Sequence, residues 1–491
     1  MATILRFYRF PNRWGLLSDD ARDVLIAKEA LGRHELPLFG SFSSAGPFVF
    51  GPLFYWYIMS SYLLFPDALT IPWVILGFLG ILTVLLAVKI GNVLAGRRFG
   101  LLIGLVTAYS PQLISRALVL NQHSLISFLA TLTLLFLILL WKEKRLIYAF
   151  LSGLSIGAAI SLHYQALNLL IVVISPLLIP MRFKKKLMCL IAILIGIFIP
   201  SVPLLYWDWH QDFANTRNII DYFLIGQYRL YVPNSWKLFL FSYFPSYWAF
   251  VAGGSIWIGR ILFYLAGIFV FIQFLRKKVD RLFLVLGMFF AFFMILNRYY
   301  RGERSEGYLI YLSPFILLFT AWTIHVIFLY YDKSKHSFLS FFFRTFVLIF
   351  GIGIIIGNTF RFRERIFYNN KVDQVTATIT KLQNKYPAKM FSIYDYKWGS
   401  STISYPLVVF MADKKLISRD GLPLGVTCGV YKTPIPTMFH EGCKIYDLSA
   451  DKKRFNTTLW TNVNPASVYD DLITRWMRKK LYSPFHFFPP E

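Results

Sequence analysis

Residues 18–29 read Ser-Asp-Asp-Ala-Arg-Asp-Val-Leu-Ile-Ala-Lys-Glu, and the rest of the chain is organised around this stretch. Asp19 and Asp20 are adjacent carboxylates followed at once by Arg22, in a chain with only 25 acidic residues among 491. One interpretation is that the acids begin a helix, because negative charge favours the positive end of the helix dipole. The other is that a carboxylate beside a cation acts as a general base at a membrane surface. The two interpretations are compatible.

The composition is that of a membrane protein with many spans. Hydrophobic residues make up 56% of the chain, the mean hydropathy is +0.54, and charged residues fall to 15%, below the roughly 25% of a soluble domain. The net charge is +26, but much of the basic charge lies in short clusters between apolar runs. Such clusters are typical of topology signals and of contacts with anionic membrane lipids. No nucleic-acid-binding motif accompanies them, so we expect no nucleic-acid partner.

The basic clusters predict the topology. The positive-inside rule places five of them in the cytoplasm: Arg97-Arg98, Lys142 to Arg145, Arg182 to Lys186, Arg276 to Arg281 and Lys333 to Lys335. Apolar runs of about 20 residues between them give about ten spans, and an even number leaves both chain ends outside. The predicted spans are Leu69–Gly96, Leu101–Ala117, Asn121–Trp141, two within Leu146–Met181 that turn near His163, Leu187–Tyr206, Ile256–Leu275, Leu282–Asn297, Tyr308–Tyr331 and Phe338–Ile356.

This topology places the acid pair in an external first loop, residues 11–68. Val49–Phe65 is apolar and rich in Tyr and Trp, so we interpret it as a helix lying on the outer face. The alternative is that it spans and the acids are cytoplasmic. An aromatic external segment is predicted from Trp207 to Ser255. A polytopic chain that starts outside needs a signal or a first anchor, so we expect an upstream first helix that this sequence lacks.

The tail, residues 361–491, predicts a small extracytoplasmic α/β domain that follows the membrane domain, residues 1–360. It mixes helix-like and strand-like runs: Val372–Tyr386 for a helix, and Met390–Tyr396, Leu407–Met411 and Lys444–Leu448 for strands. Asp420-Gly421 and Asn464-Pro465 predict turns. Cys428 and Cys443 are able to form a disulfide if the tail faces an oxidising compartment. The predicted fold class is thus an all-α polytopic membrane protein with an α/β tail.

Several polar groups fall on the predicted outer side. They are Arg116 with Asn121-Gln122-His123, His163-Tyr164-Gln165, Asp208 with His210 and Asp212, and the loop Asn297 to Glu306. Arg298, Arg301 and Arg304 in that loop break the positive-inside trend, and external arginines near lipid suit a lipid phosphate. His163, at a tight turn, either caps a carbonyl or contacts phosphate or sugar. An ordinary polar loop accounts for each group taken alone.

No metal signature and no nucleotide loop are visible. The sequence has no His-x3-His pair and no cysteine pair at zinc spacing, although paired acids are able to hold a divalent ion. No glycine-rich loop precedes a basic residue as a nucleotide loop requires. With the acids outside, these observations favour a lipid-linked substrate over a cytoplasmic nucleotide.

These patterns resemble the polytopic C-type glycosyltransferases (GT-C) of the protein O-mannosyltransferase/glycosyltransferase family 39 group, which includes aminoarabinose transferase-like proteins. That family has an Asp-Glu pair in the first external loop, often Asp-Glu-Ala-Arg with an Ala a few residues on. Here Asp19-Asp20-Ala21-Arg22 and Ala27 match it, with Asp20 in place of Glu. Further matches lie between about Arg6 and Tyr331: Gly51-Pro52-Leu53-Phe54-Tyr55-Trp56, Ser115-Arg116, Ser161-Leu162-His163-Tyr164, Pro203 to Phe213, and Tyr308 to Pro314.

The resemblance implies transfer of a sugar from a polyprenyl-phosphate carrier to an acceptor hydroxyl on the extracytoplasmic face of the cell (plasma) membrane. By analogy Asp19 is the general base and Asp20, one methylene shorter than the usual Glu, supports it. The donor-binding candidates are Arg22, Arg116, His163, Tyr164, Arg298 and Arg301. The implied partners are the lipid-linked donor, membrane lipids and a protein, lipid or glycan acceptor. A divalent metal is the one cofactor left open.

A transporter or lipid flippase is the alternative function. It requires polar or broken helices at mid-membrane, whereas charges within the predicted spans are sparse and the polar groups collect at one face. A structural membrane protein whose tail binds a partner is a third interpretation.

Overall fold

The structure is a computed structural model of the whole chain. It describes residues 1–16, 18–229, 236–275, 280–300, 306–332, 371–396, 401–428, 438–440, 443–451 and 460–471, with scattered positions between 341 and 359. Statements below about what is present or absent refer to these residues.

Helices make up most of the chain before residue 333. The α-helices are α1 (Ala2–Phe7), α2 (Ser18–Gly32), α3 (Leu53–Leu64), α4 (Ile71–Ala95), α5 (Arg97–Ala108), α6 (Pro111–Arg116), α7 (Gln122–Glu143), α8 (Leu146–Leu162), α9 (Ser175–Leu178), α10 (Phe183–Trp209), α11 (Ala214–Leu224), α12 (Trp236–Leu238), α13 (Phe244–Trp248), α14 (Ile256–Leu275), α15 (Arg281–Tyr299) and α16 (Ser313–Asp332). Short 3-10 helices cover Phe10–Asn12, Tyr164–Ile174, Gly226–Arg229, Glu306–Leu312 and Leu448–Asp451, and π-helical turns cover Phe239–Tyr243 and Ala249–Gly253.

The chain is an integral membrane protein. In the described residues, five helical stretches are long and apolar enough to cross a bilayer: Ile71–Ala95, Gln122–Glu143, Phe183–Trp209, Arg281–Tyr299 and Gly307–Ile327. Trp236–Gly253 and Ile256–Ile272 meet at 102° and make a sixth if they form one broken span. The predicted polytopic class is therefore confirmed, while the count of ten and the orientation stay predictions. The predicted span Phe338–Ile356 lies largely outside the described residues.

One predicted span differs from the structure. Leu101–Ala117 is not one helix: α5 ends at Ala108, and α6 begins at Pro111. Proline has no N–H to continue a helix, and the Ser110 side chain caps the new one by accepting from the Leu113 N–H at 3.3 Å. The aromatic segment Trp207–Ser255, predicted to be external, is largely helical where it is described, and its side of the membrane stays a prediction.

The apolar stretch Leu146–Met181 breaks at His163, near the predicted turn. His163 is extended (φ −164°) between α8 and the 3-10 helix Tyr164–Ile174. Before the break, α8 packs closely on α10 because Gly153 and Gly157 lack side chains. A Cβ at Gly153 would lie 2.1 Å from the Ile193 carbonyl oxygen of α10, so only glycine fits there.

The helix predicted on the outer face is α3. With 12 residues it is about 18 Å long, shorter than the roughly 30 Å hydrocarbon core. Two tyrosine hydroxyls tie it to the start of α4, since Tyr57 donates to the Pro72 carbonyl at 2.5 Å and Tyr62 to the Leu69 carbonyl at 3.0 Å. Its position relative to the membrane stays a prediction.

The tail forms a mixed sheet with helices, as predicted. After the helix Lys371–Lys385 come β1 (Phe391–Tyr396), the helix Ser401–Asp413, β2 (Leu422–Cys428), β3 (Met438–His440), β4 (Cys443–Asp447) and β5 (Trp460–Asn462). The sheet order is β3-β4-β2-β1-β5, with β1 and β2 parallel and the other pairs antiparallel. We call Ser401–Asp413 the crossover helix because it joins the two parallel strands.

The strand predicted at Leu407–Met411 is wrong, because these residues lie inside the crossover helix. Two parallel strands need a crossover connection, and a helix supplies it; the Val408-Val409 pair misled the prediction because β-branched residues favour strands. Asn464-Pro465, predicted as a turn, instead begins a helical stretch over residues 465–471, where Asn464 accepts from the Ser467 N–H at 2.7 Å. Cys428 and Cys443 are register partners on β2 and β4, and Cys443 is disulfide-bonded.

The tail rests on α2, the helix that carries the acid pair. The crossover helix packs against α2. Near the end of α2, Arg33 Nη1 lies 2.8 Å from Asp470 Oδ1, and the Tyr469 hydroxyl donates to Glu35 Oε2 at 2.6 Å. The tail and the first loop therefore form one continuous packed unit.

Candidate active site

The acid pair lies at the first turn of α2, but its two members have different environments. The Asp19 side chain is 76% exposed, whereas Asp20 is 1% exposed. Arg22 connects Asp19 to a third acid, since its Nη1 lies 2.9 Å from Asp19 Oδ1 and its Nη2 lies 2.8 Å from Asp23 Oδ1. Asp19 is thus the solvent-accessible carboxylate of the pair, and Arg22 orients it.

Asp23 is the acid that the sequence prediction missed. It is buried, and this burial raises its pKa to about 6, against the opposing effect of the Arg22 charge. The buried Tyr55 of α3 packs against the same carboxylate. The available signal was the spacing, because Asp19 and Asp23 are four residues apart and share one face of α2. We call Asp19, Arg22, Asp23 and Tyr55 the acid cluster.

A pocket of about 390 Å³ lies beside His163, within the size range of small-molecule sites. Its lining residues are Ser43, Ala45, Phe48, Phe50, His163, Tyr164, Gln165, Leu167, Asn168, Tyr222, Phe223, Gln227, Leu296, Asn297, Tyr299, Tyr300 and Tyr308. We call it the aromatic pocket. His163 and Tyr164, two of the predicted donor-binding residues, both line it, and their role stays a prediction. The other lining residues were not predicted as a group.

Rings and amides form the walls of the aromatic pocket. His163 stacks on Phe50, with centroids 4.3 Å apart, and on Tyr308, at 5.4 Å. Elsewhere in the lining, Asn168 and Asn297 both donate to the Tyr311 hydroxyl, at 2.6 and 2.5 Å. These bonds fix the amides in place, so the pocket presents a rigid set of polar groups between apolar ring faces.

One short segment connects the acid cluster to the aromatic pocket. Phe50 lines the pocket, and Tyr55, five residues later, packs against Asp23. Five residues span at most about 18 Å, so the two features are near each other. Gly51 sits between them, and its N–H donates to the Ser161 carbonyl at 2.8 Å. The structure thus joins the acids to the pocket without placing Asp19 in its wall.

Arg298 lies where the aromatic pocket meets an apolar groove. Its neighbours Asn297 and Tyr299 line the pocket, and its guanidinium lies 5.6 Å from the Phe239 ring centroid and 5.3 Å from that of Trp236. Next to Phe239, Leu240 lines a cavity of about 670 Å³ between α14, α15 and α16, whose walls are almost wholly apolar. Along α15 the residues that line the apolar groove end at Met294, and Arg298 lies between two residues that line the polar pocket, Asn297 and Tyr299.

Arg116 and Arg301 complete the predicted donor-binding residues. Arg116 ends α6 and lies near His123, close enough for its charge to act on that imidazole. The ring centroid of His123 in turn lies 4.6 Å from that of His163. Arg116 is therefore separated from the pocket-lining His163 by His123. Arg22 belongs to the acid cluster rather than to this pocket. Arg301, with Arg304, lies outside the described residues.

Asp208 stabilises a helix start and does not line the aromatic pocket. It is buried, and its carboxylate accepts from the N–H groups of Asn215 and Thr216 at 2.7 and 2.9 Å. It therefore caps α11, as carboxylates near helix starts do. Among the described residues, no three or more His, Cys, Asp or Glu side chains lie together in a way that could hold a metal ion.

No protein-family model matches the sequence, and no curated protein is significantly similar to it. Solved structures do match the fold. ArnT from Cupriavidus metallidurans bound to undecaprenyl phosphate superposes with a TM-score of 0.57 at 12% identity, covering 87% of this chain and 91% of that one. The apo form of ArnT gives 0.55 at 11% identity, covering 86% and 90%. The apo Archaeoglobus fulgidus oligosaccharyltransferase gives 0.50 at 15% identity, where the match covers 79% of this chain and 57% of that chain.

Proposed function

We propose that this chain, which has the GT-C fold, is a membrane glycosyltransferase that uses a polyprenyl-phosphate-linked sugar as donor. The observation that carries the proposal is that the apolar groove, Arg298 and the aromatic pocket meet on one helix, α15. An apolar groove of about 670 Å³ suits a polyprenyl chain, Arg298 suits the phosphate, and the aromatic pocket suits the sugar. The binding of undecaprenyl phosphate by ArnT, which shares the fold, supports this reading.

Asp19 acts as the general base in this proposal. An acceptor hydroxyl is a weak nucleophile until a carboxylate takes its proton as the C–O bond forms, a contribution of about 10²–10⁴ in rate. The bond from the sugar to the phosphate oxygen breaks in the same step, and the leaving polyprenyl phosphate takes the electron pair. Arg298 stabilises the charge that gathers on this phosphate, and Arg116, behind His123, adds positive charge at longer range. Asp20, which follows Asp19 in the sequence and is buried, stabilises the first turn of α2.

The proposed reaction takes place on the extracytoplasmic face, on which the predicted topology puts both the acid cluster and the tail domain. Packing of the crossover helix on α2 puts the tail next to the acids, so the tail is positioned to contribute to the acceptor site. The acceptor is a hydroxyl on a protein, lipid or glycan.

An assay with purified protein in vesicles tests the proposal. Polyprenyl-phosphate sugar carrying a radiolabel is supplied with a membrane extract as the source of acceptors, and the release of free polyprenyl phosphate is measured. We expect release that depends on the protein. Protein-dependent movement of intact donor between leaflets, with the sugar bond unbroken, would instead assign the chain to the flippases.

A further inference from the structure

We infer that the aromatic pocket takes a neutral, hydroxyl-rich sugar rather than an amino sugar or a sugar acid; this inference rests on the proposed function and names its substrate class. The lining is the first observation. None of the described lining residues is Asp, Glu, Lys or Arg. Among the described lining residues, a charged sugar substituent moved from water into the pocket would find no counter-ion, and burial of an unpaired charge is strongly unfavourable. Arg298, at the edge of the pocket, pairs with the donor phosphate in the proposed function.

The hydrogen bond that His163 accepts shows that its imidazole is neutral. The backbone N–H of Gln165 donates to His163 Nδ1 at 3.2 Å. A nitrogen that accepts a hydrogen bond carries no proton, so the ring is neutral with its proton on Nε2. His163 thus offers one N–H donor, which suits a hydroxyl oxygen, and supplies no charge to pair with a sugar carboxylate.

Gln165 supplies the complementary acceptor. Its Nε2 lies 2.8 Å from His123 Nδ1, while its Oε1 is buried and makes no hydrogen bond to any described residue. A buried acceptor left unpaired costs about 1–3 kcal/mol, and a sugar hydroxyl that donates to it removes this cost. A donor on His163 and an acceptor on Gln165, two residues apart, match a hydroxyl group that both accepts and donates.

The rings define the remaining contact. Phe50, His163 and Tyr308 form a stacked row along one wall. An open ring face at the end of this row would cover the C–H face of a pyranose, while the hydroxyl edge of the sugar meets the amides. A neutral hexose is therefore able to pack on the rings, accept a hydrogen bond from His163 and donate one to the Gln165 side-chain oxygen.

A donor panel tests the inference. Purified protein in vesicles receives three polyprenyl-phosphate sugars in separate reactions: a neutral hexose, a 4-amino-4-deoxy pentose and a hexuronic acid. The readout is release of polyprenyl phosphate. We expect kcat/KM for the neutral donor to exceed that for either charged donor at least tenfold. Equal or faster turnover of a charged donor would overturn the inference and leave the proposed function standing, whereas no turnover of any donor would remove both.

A charge-introducing variant provides a second, independent readout. Gln165→Glu keeps the side-chain shape and places a carboxylate where the amide oxygen was. We expect a tenfold loss with the neutral donor and a relative gain with the amino sugar, because the new carboxylate pairs with its ammonium group. Gln383→Glu makes the same chemical change on the tail helix Lys371–Lys385 and should alter neither rate. An unchanged donor preference in Gln165→Glu would show that the sugar binds elsewhere.

Discussion

Arg22 holds Asp23 with two nitrogens of one guanidinium: its Nε donates to Asp23 Oδ1 at 2.9 Å, and its Nη2 lies 2.8 Å from the same oxygen. The third nitrogen, Nη1, reaches Asp19 at 2.9 Å. A buried carboxylate thus fixes an arginine, and the arginine fixes an exposed carboxylate. Charge-assisted bonds of this kind set direction as well as energy.

The acid cluster predicts a pH dependence of transfer. The pKa of Asp23 is raised to about 6 by burial, so the carboxyl becomes neutral as the pH falls through 6 and holds Arg22 less firmly. We expect transfer to drop several-fold between pH 7 and pH 5. Asp23→Asn should be slow throughout this range and lack the transition. A transition near pH 6 that persists in Asp23→Asn would assign it to another group.

The Asp23 carboxyl is expected to have the opposite effect on stability: its contribution to the free energy of unfolding falls as the pH rises. Its pKa in the folded protein, about 6, lies above the usual 3.8, so the folded state binds this proton more readily than the unfolded state. Its contribution to the free energy of unfolding therefore decreases as the pH rises from about 4 to 6. Thermal unfolding of the wild type and of Asp23→Asn in detergent measures the difference. A steeper decrease in the variant than in the wild type would contradict this assignment.

We expect removal of the Arg298 charge to lower both the affinity for the donor and the rate of transfer. Arg298→Gln removes the cation between groove and pocket, and a lost charged hydrogen bond of about 1.5–3 kcal/mol lowers kcat/KM for the donor about 10- to 100-fold. Arg298→Lys should recover part of the rate, since a lysine keeps the charge but not the planar contact with the rings. Arg97→Gln, an exposed arginine at the start of α5, is the matched control. Equal rates in the wild type and Arg298→Gln would place the phosphate elsewhere.

We expect substitution of Gly51 to change the position of the acid cluster relative to the aromatic pocket. A Cβ at this position would lie 2.0 Å from Ser161 Oγ and 3.0 Å from Ser161 Cα, so Gly51→Ala must displace the segment that joins them. We expect destabilisation of about 1–3 kcal/mol and at least a tenfold loss of transfer. Gly32→Ala meets no atom within 4 Å and should behave as wild type. Full activity in Gly51→Ala would show that the segment position is unimportant.

Much of the helical architecture was predictable, because membrane helices follow from apolar runs between basic clusters. The span that contains α4, predicted from Leu69 and found from Ile71, the break at His163 and the polar helix of the tail were all visible in the pattern. Errors arose where tertiary context decides local structure. Val408-Val409 favours a strand by propensity, yet the crossover between β1 and β2 makes it helical. Ser110-Pro111 is a stop and a cap within one apolar run, which hydropathy alone does not resolve.

The site was predicted in part. The acid pair, His163 and Tyr164 carry sequence signals because acids and histidines are rare in this chain. The pocket wall does not: Phe50, Asn168, Asn297 and Tyr308 lie on four separate segments, and only the fold brings them together. Asp23 was hidden because its role depends on burial against Tyr55, a contact between two helices.

The central claim is that Asp19 takes a proton from the acceptor while a lipid phosphate leaves. The most direct test compares transfer and donor binding in Asp19→Asn, with Asp67→Asn, an exposed acid of the same predicted loop, as control. We predict that Asp19→Asn binds the donor as the wild type does, inserts into membranes normally and loses transfer by about 10²–10⁴, while Asp67→Asn is unaffected. Transfer at the wild-type rate by a folded Asp19→Asn protein would contradict the account.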